Sequence, residues 1–566
     1  MTPLERIYPQ PRVVRTLPGG GGLRNVMRAP IVQASMEHAG AYSLRFDGHQ
    51  LRAQAADSDG EHSVQSVLRQ LSLTEGSDCP AFELTDWPRF ATRGFMLDIS
   101  RNRVPTMAAL RELVDALSML RMNHLQLYTE HAFAYSGHET VWCDASPVTP
   151  DEIREIDKLC RDRGIELAAN QNCFGHLSEW LRHPAYADLA ETHGPYDFYG
   201  MTRDGPFSLC PTDDRSLELV HDWIGQLGSC FSSPLLNIGC DETADVGSGR
   251  SRQTVAERGK SAVYADFVRS VADIAAEHGF APMFWADIAL DSPGTLDLLP
   301  ANLKPLAWGY EPDSPFDAWD KALRDAGRTG WVCPGTSCWR SFFGRTTERR
   351  GNLEAACATS DTFDGMLVTA WGDVGHQQQW PITLHALADA AHAAWHGTPN
   401  PDAARSSRVL FGSHALGPWL DELGEVDRHV RSPKGGSVDS DGLPRLLNAS
   451  AVFNEIYPAN AALSPRGTLG DWRQCAAELD QLAATQPETE PLIDSELRWT
   501  LSMSMVACRL AIQRHSGERD DALANELRAC RETYRDLWAR RSRPGGLDRS
   551  IEHIDRLITA CDGVQR

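Results

Sequence analysis

Residues 235–242 read Leu-Leu-Asn-Ile-Gly-Cys-Asp-Glu, an apolar run that ends in two adjacent carboxylates, Asp241 and Glu242. A buried strand does not tolerate charge in its middle, so the two acids are expected where the strand emerges. In a parallel α/β protein ligands bind at the carboxyl ends of the strands. The alternative is an Asp-Glu pair that caps the next helix, since acids are common at helix starts. The rest of the chain decides between these two interpretations.

Length and charge restrict the class of protein. A chain of 566 residues is too long for one hydrophobic core. Its net charge of −22 argues against nucleic acid or an anionic membrane as the main partner, because both bind clustered Lys and Arg. The first residues lack the basic segment and apolar run of a signal peptide, and no apolar stretch reaches about 18 residues. We therefore expect a cytoplasmic protein whose fourteen cysteines are free thiols, with no zinc site.

Short apolar runs alternate with amphipathic stretches between Gly94 and about Trp395. The runs are near-continuously apolar, as expected of parallel strands that are buried on both faces. They predict eight strands: Gly94–Ile99, His124–Tyr128, Ile165–Asn170, Leu235–Gly239, Pro282–Ala286, Lys304–Trp308, Gly330–Cys333 and Gly365–Trp371.

Helical periodicity separates these strands. Thr106–Met122, for example, carries apolar residues at a spacing of three and four. Eight strands that alternate with helices predict an α/β fold, a (β/α)8 TIM barrel, at residues 89–398. Residues 1–88 predict a small α+β domain with a hairpin turn at Asp47-Gly48. Residues 399–566 predict a mostly helical C-terminal domain.

Nearly every predicted strand ends in a polar or aromatic residue. These residues are Asp98, Glu130, Asn170 to Asn172, Asp241, Glu242, Trp285 with Asp287, Tyr310, and Trp371 with Asp373. A requirement for stability does not explain so many of them at one edge, because the carboxyl edge of a barrel is where active sites are built. Two acids there can also divide their roles, with one protonated and the other ionised. This context favours a catalytic role for Asp241 and Glu242 over helix capping.

Five sequence fragments, taken in order, carry a family resemblance. They are Arg93-Gly-Phe-Met-Leu-Asp98, Leu125-Gln-Leu-Tyr-Thr-Glu130, Gly175-His176, Leu236-Asn-Ile-Gly-Cys-Asp-Glu242 and Ala370-Trp-Gly-Asp373. Together they resemble glycoside hydrolase family 20, the β-N-acetylhexosaminidases. The resemblance covers about residues 1–395, and its most specific element is the Gly-x-Asp-Glu strand end.

The resemblance implies an exo-acting, retaining enzyme that removes terminal β-linked N-acetylhexosamine, GlcNAc or GalNAc, from small glycosides or glycoconjugate ends. No metal or cofactor is expected. In such enzymes the 2-acetamido oxygen of the substrate attacks the anomeric carbon and forms an oxazolinium ion, so the protein supplies no nucleophile. Glu242 would protonate the departing oxygen and then deprotonate the incoming water. Asp241 would stay ionised and orient the acetamido N–H.

The resemblance also implies eight substrate-binding residues: Arg93, Glu130, His176, Trp285, Tyr310, Trp339, Trp371 and Asp373. The three tryptophans would form flat walls around the sugar and its acetyl group, and the tyrosine would hold the acetamido oxygen. Arg93 would bind the 3- and 4-hydroxyls, although the start of a barrel strand lies at the end that serves stability. The acidic residues would bind hydroxyls or support the catalytic pair, and the histidine would lie near the acid.

Three alternatives stay open at this point. A retaining barrel glycosidase with a protein nucleophile needs a second acid about 5 Å from Glu242, for which adjacent Asp241 is poorly placed. The chain could also be a non-catalytic sugar-binding barrel, or a scaffold whose helical domain binds a partner. Whether the chain forms a homodimer stays open as well. Tyr128-Thr-Glu-His131 and the Trp-Gly-Asp ending depart from the pattern of many family members and resemble an intracellular-type branch. The preference for GlcNAc or GalNAc therefore stays open.

Overall fold

The computed structural model describes residues 3–22, 30–72, 78–292, 294–430, 433–438, 444–446, 450–457 and 467–563. Its strands in chain order are β1 (Val13–Gly22), β2 (Ile31–Gln33), β3 (Tyr42–Phe46), β4 (Leu51–Ala55), β5 (Asp78–Asp86), β6 (Thr92–Asp98), β7 (His124–Tyr128), β8 (Glu166–Asn170), β9 (Pro195–Phe198), β10 (Met201–Asp204), β11 (Leu235–Asn237), β12 (Ala281–Trp285), β13 (Lys304–Trp308), β14 (Gly330–Cys333), β15 (Phe363–Ala370), β16 (Pro433–Val438) and β17 (Pro444–Leu446).

The α-helices are numbered in the same way. They are α1 (Ser58–Ser72), α2 (Met107–Met119), α3 (Glu139–Trp142), α4 (Pro150–Asp162), α5 (Ser178–Leu181), α6 (Asp214–Gly228), α7 (Arg252–Arg258), α8 (Lys260–Glu277), α9 (Asp287–Asp291), α10 (Thr295–Leu298), α11 (Phe316–Asp325), α12 (Thr346–Cys357), α13 (Trp380–His396), α14 (Ala403–Phe411), α15 (Leu416–Leu423), α16 (Ala451–Ile456), α17 (Leu469–Thr485), α18 (Pro491–Ser516), α19 (Leu523–Arg541) and α20 (Leu547–Gly563). None of these helices has the length and hydropathy needed to span a bilayer in the part of the chain that is described.

A closed barrel of eight parallel strands occupies the centre of the molecule. Its strand order is β11-β12-β13-β14-β15-β6-β7-β8. All eight predicted strands are present, and their ends differ from the prediction by no more than two residues. The predicted TIM barrel is therefore confirmed. Its parallel strands bring every carboxyl end to one face, which carries the site described below.

The helices around the barrel form where the sequence supplies both an apolar stripe and a start signal. In α4, Thr149 and Glu152 form a capping box, and Pro150 occupies the first turn, where its missing N–H costs nothing. In α2, Thr106 accepts a hydrogen bond from the amide of Ala109, and the apolar face of the helix is buried against the barrel. Local capping and tertiary burial thus specify the same helices.

The N-terminal region packs against the amino-terminal end of the barrel. Its sheet has the order β1-β5-β3-β4-β2, and β3 and β4 form the expected antiparallel hairpin. The buried ion pair between Arg121 and Asp86, 2.7 Å from Nη1 to Oδ2, joins this sheet to the barrel. Trp395 of α13 completes the core of the small sheet. The N-terminal region therefore supports the end of the barrel that lies opposite the site.

The C-terminal helices pack on the loops that follow the last and first barrel strands. Their apolar core includes Phe342 and Ile382 from the barrel region. Arg103, which follows β6, donates to the Ser542 hydroxyl at 2.9 Å and to the carbonyls of His376 and Gln378 at 3.0 Å. The helical character predicted for this region is confirmed. The exact boundaries 1–88, 89–398 and 399–566 stay predictions.

Candidate active site

The segment after β11 turns the two adjacent acids into the mouth of the barrel. Gly239, Cys240 and Glu242 have φ values of 69°, 71° and 50°. Such left-handed values are unusual for side-chain-bearing residues and mark a constrained turn. A Cβ at Gly239 would lie 2.5 Å from the side chain of Asn172, so only glycine fits there. The turn is therefore built by close packing against the segment that follows β8.

Asp241 is held by two partners from that neighbouring segment. The Asn172 side-chain amide donates to Oδ1 at 2.8 Å, and the His176 Nε2 lies 3.3 Å from Oδ2. Burial alone would raise the pKa of Asp241, but the His176 charge and these hydrogen bonds outweigh it and lower the pKa. Asp241 is therefore ionised and fixed in orientation.

His176 lies between the two acids and an arginine. Its Nε2 is 3.3 Å from Asp241 and 3.4 Å from Glu242, at ion-pair distance from both. Burial and Arg101, which lies 3.3 Å from Nδ1, oppose protonation of the ring. The charge of Asp241 and the contacts with both acids prevail and raise the pKa of His176 to about 10. A cationic imidazole thus faces the acid pair.

Glu242 is the more accessible acid of the pair. Its side chain is 26% exposed, compared with 7% for Asp241. Its backbone amide donates to Asp287 Oδ2 at 3.0 Å, across the gap to the end of β12. Burial, together with the charges of Asp241 and Glu242, raises the pKa of Asp287. Glu242 can therefore meet a ligand while its backbone is fixed from behind.

A cavity of about 450 Å³ opens in front of the acids, within the usual size range of ligand pockets. Seven of the predicted residues line it: His176, Asp241, Glu242, Tyr310, Trp339, Trp371 and Asp373. The Trp371 indole donates to the Tyr310 hydroxyl at 2.7 Å, and the Trp339 ring meets the Tyr310 ring edge-on at 4.9 Å. Three aromatic side chains thus form one continuous wall beside the acids.

Two predicted residues lie one layer behind the cavity. Trp285 is fully buried, and its ring centroid is 5.8 Å from that of Trp371. Glu130 is buried and accepts a hydrogen bond from the Tyr128 hydroxyl at 3.0 Å. Burial raises the pKa of Glu130 to about 7, although the charges of Arg101 and His176 act in the opposite direction. Both side chains contact residues that line the cavity, Trp371 and Arg101, and do not line it themselves.

The expectation that Arg93 binds sugar hydroxyls is wrong. Arg93 begins β6 at the opposite end of the barrel, where it pairs with Asp59 at 2.7 Å and donates to backbone carbonyls. Its guanidinium is completely buried and lies over the Trp395 ring. Asp98 at the carboxyl end lies five residues beyond Arg93, about 17 Å at 3.3 Å per residue, so the Arg93 side chain does not reach the site. Arg93 joins the barrel to the N-terminal region.

Arg101, which sequence reasoning missed, lines the cavity instead. It follows the β6 strand end Asp98, pairs with its Oδ2 at 3.0 Å, and pairs with Glu130 at 2.9 Å. Asp98 also accepts from the Gly372 amide at 2.9 Å, which joins the loop after β15 to the same network. The signal for Arg101 was its place three residues beyond a strand end that was already recognised.

Other cavity residues were also missed by sequence reasoning. They are Phe198, Arg203, Trp308, Arg340 and Val374. Trp308 ends β13 and stacks on Tyr310 at 5.2 Å, a position that strand-end reasoning could have found. Phe198 and Arg203 lie in the long segment between β8 and α6. They do not follow the end of a barrel strand, so their sequence positions did not predict a place in the cavity.

A carboxylate-histidine group away from the cavity has the spacing of metal ligands. Ligand atoms of His385, Asp389 and Asp421 lie within 4.8 Å of one another. Arg349 and Arg350 pair with Asp389 at 2.7 Å and 3.1 Å, and Arg350 also pairs with Asp421. These guanidinium groups already balance the carboxylate charge, so the donor set does not favour a metal ion.

The fold and this site define a class of protein. Adjacent acids at the carboxyl end of a barrel strand, beside a cavity walled by aromatic rings, are the arrangement of a glycoside hydrolase. The model of the glycosyl hydrolase family 20 catalytic domain matches residues 90–311. Residues 90–311 therefore carry a glycoside hydrolase family 20 catalytic domain.

Two curated relatives are similar to more than half of the chain. Hexosaminidase D of Bos taurus is 26% identical over 322 residues, covering 52% of this chain and 89% of that protein. Hexosaminidase D of Homo sapiens is 28% identical over 354 residues, covering 58% and 70%.

Two solved structures share the fold at low sequence identity. The β-N-acetylhexosaminidase from Bacteroides fragilis NCTC 9343 has a TM-score of 0.57 at 18% identity and covers 74% of this chain and 96% of that chain. The Flavobacterium johnsoniae chitobiase has a TM-score of 0.57 at 16% identity, with coverage of 94% and 98%. The similarity to the chitobiase therefore extends beyond the barrel into the flanking regions.

Proposed function

We propose that the chain is an exo-acting, retaining β-N-acetylhexosaminidase that removes terminal β-linked GlcNAc or GalNAc by substrate-assisted catalysis. The observation that carries this proposal is the fixed, ionised Asp241 beside the accessible Glu242. Both oxygens of Asp241 face partners of the protein, which suits a carboxylate that orients a substrate N–H and balances positive charge. It does not suit a carboxylate that must attack the anomeric carbon.

In the first step the acetamido oxygen of the substrate attacks the anomeric carbon, and Glu242 gives its proton to the departing glycosidic oxygen. Asp241 accepts the acetamido N–H and stabilises the positive charge of the oxazolinium ring. Glu242 then removes a proton from water as the water opens that ring. Two inversions at one carbon retain the anomeric configuration.

The aromatic wall supplies the binding surface for this chemistry. Tyr310, Trp339 and Trp371 would enclose the acetyl group, with the Tyr310 hydroxyl already oriented by the Trp371 indole. Arg101 replaces Arg93 as the residue proposed to bind the sugar hydroxyls, because it lines the cavity and is braced by Asp98 and Glu130. Substrates would be small glycosides or glycoconjugate ends that carry a terminal N-acetylhexosamine.

A cytoplasmic location is part of the same proposal. All fourteen cysteines are free thiols, and most of them are buried. Free thiols persist in reducing compartments and support such a location.

Three chromogenic substrates test the proposed function: 4-nitrophenyl β-GlcNAc, β-GalNAc and β-glucoside. We expect turnover of at least one N-acetylhexosaminide, loss of that turnover in Glu242→Gln, and negligible turnover of the glucoside. A thiazoline mimic of the oxazolinium ring should inhibit the parent enzyme. Equal turnover of the glucoside would instead support a protein nucleophile, and no turnover of any substrate would support a non-catalytic sugar-binding barrel.

A further inference from the structure

A small hairpin stands at the rim of the cavity. Strands β9 and β10 pair antiparallel, with Met201 opposite Phe198 and Asp204 opposite Pro195. The hairpin lies within the long segment that joins β8 to α6. Phe198 and Arg203 reach from it into the cavity lining.

The hairpin stands on the side of Glu242. Tyr196, Phe198 and Phe207 form a small apolar cluster that packs against Ala244, two residues beyond Glu242. Phe207 also meets the His176 ring edge-on, with 4.8 Å between the centroids. Since a general acid must face the bond that breaks, the leaving group extends toward this side of the cavity.

Tyr199 occupies the tip of the hairpin in a strained conformation. Its φ is 52° and that of Gly200 is 85°, the two positive values of a type I′ turn, which favours Asn-Gly. The residue is nevertheless 60% exposed, with its ring edge-on to Phe198 at 5.0 Å. Partial burial and the negative charges of Asp287, Glu242 and Asp241 raise the pKa of its hydroxyl, which stays neutral. A bulky aromatic residue that is both strained and exposed is unfavourable for folding and calls for a role in binding.

Arg203 adds a positive charge to the same surface. Its guanidinium carbon lies 3.2 Å from the Phe198 ring centroid and 5.8 Å from that of Phe207. Among the described residues no carboxylate pairs with Arg203, whereas Arg101 in the same cavity pairs with two. Arg203 also contacts the Tyr196 hydroxyl, so its charge lies in the same cavity as Glu242 with aromatic and hydroxyl partners, in a protein whose net charge is −22.

We infer that the hairpin 195–204 is the leaving-group subsite, and that it selects an aglycone ring that stacks on Tyr199 and presents a carboxylate to Arg203. A hexuronic acid is the sugar with this chemistry, because its C–H face packs on an aromatic ring and its carboxylate matches the guanidinium fork. The inference rests on the proposed function and names the residue that would precede the terminal N-acetylhexosamine.

The most direct test compares two disaccharides that differ only in whether one carboxyl group is free or methylated. One carries β-linked N-acetylhexosamine on glucuronic acid, and the other is the methyl ester of that acid. We expect kcat/KM to favour the acid by about tenfold, the lower end of what a charge-assisted hydrogen bond provides. In Arg203→Gln the acid-to-ester ratio should fall to about one. Tyr199→Ala should raise KM for both disaccharides by about fivefold and keep the ratio.

The controls separate this inference from the proposed function. Arg498→Gln, an exposed arginine of α18, should keep the parental ratio, and thermal unfolding of each variant checks that it folds. Turnover of a 4-nitrophenyl N-acetylhexosaminide without preference for the acid would overturn the subsite alone. Retention of the preference in Arg203→Gln would also overturn it. No turnover of any N-acetylhexosaminide would overturn the proposed function and the subsite together.

Discussion

Asp287 accepts a hydrogen bond from the backbone amide of Glu242, with 3.0 Å between Oδ2 and the nitrogen. Glu242 has a φ of 50°, so its backbone adopts a conformation that most residues avoid. The bond therefore holds the proposed proton donor in place from the neighbouring strand.

Removal of the Asp287 side chain should lower kcat while leaving the fold intact. In Asp287→Ala the part-buried amide of Glu242 loses its acceptor, a loss of about 1–3 kcal/mol, and we expect kcat to fall at least tenfold. Asp287→Asn keeps an acceptor oxygen and should recover most of kcat. Steady-state rates on a 4-nitrophenyl N-acetylhexosaminide measure both variants. Equal losses in Ala and Asn would show that the carboxyl charge matters and the hydrogen bond does not.

Asn172→Ala should move the acidic limb of the pH profile. The Asn172 amide donates to the ionised form of Asp241, so its removal should raise the pKa of that acid. The acidic limb of the profile of kcat/KM against pH should therefore move to higher pH. We expect a move of about one pH unit for a hydrogen bond of about 1.4 kcal/mol. Initial rates between pH 3 and 8 provide the measurement. A loss of rate with an unmoved limb would argue that Asn172 acts only on the shape of the turn.

His176 should contribute stability that depends on pH. Its pKa is raised from 6.5 to about 10 in the folded protein, so the contribution is complete below about pH 6.5 and is lost as the pH rises through 10. We expect His176→Gln to lower the free energy of unfolding by about 2 kcal/mol at pH 6, a value reduced because the pocket is open to solvent. The difference should shrink toward pH 10. Denaturant unfolding at both pH values measures it, and a constant difference would contradict a charged imidazole.

Arg93, which begins the first barrel strand, and Arg101, which follows that strand, should differ in their effect on catalysis. Arg101→Ala removes a cavity cation and should lower kcat/KM by about a hundredfold, as expected when a charged hydrogen-bond donor to substrate is lost. Arg93→Ala leaves Asp59 without its partner and should lower the free energy of unfolding by about 3 kcal/mol with KM unchanged. Kinetics and denaturant unfolding of both variants check this. A large rise in KM for Arg93→Ala would restore the original expectation.

The sequence predicted the barrel because each strand is a near-continuous apolar run, and nearly every one ends in a polar or aromatic residue. It predicted Asp241, Glu242 and most of the aromatic wall for the same reason, since parallel strands bring their ends together. The expectation for Arg93 was wrong because the fragment match was given more weight than the position of Arg93 at the start of the strand, the end that serves stability. The role of Asp287 in holding the Glu242 backbone was not predicted, because its partner is a backbone amide that follows a different strand. No residue pattern reveals such a contact.

The Arg103 contacts tie the barrel to the C-terminal helices. Arg103 follows the first barrel strand and reaches the carbonyls of His376 and Gln378 after the last, while also binding Ser542. Arg103 therefore joins the loop after the first barrel strand to the loop after the last one. Its third partner, Ser542, belongs to the C-terminal region. The catalytic unit is consequently not a transferable module. Exchange of the C-terminal helices for an unrelated segment would remove the Ser542 contact of Arg103, so we expect the barrel to need these helices.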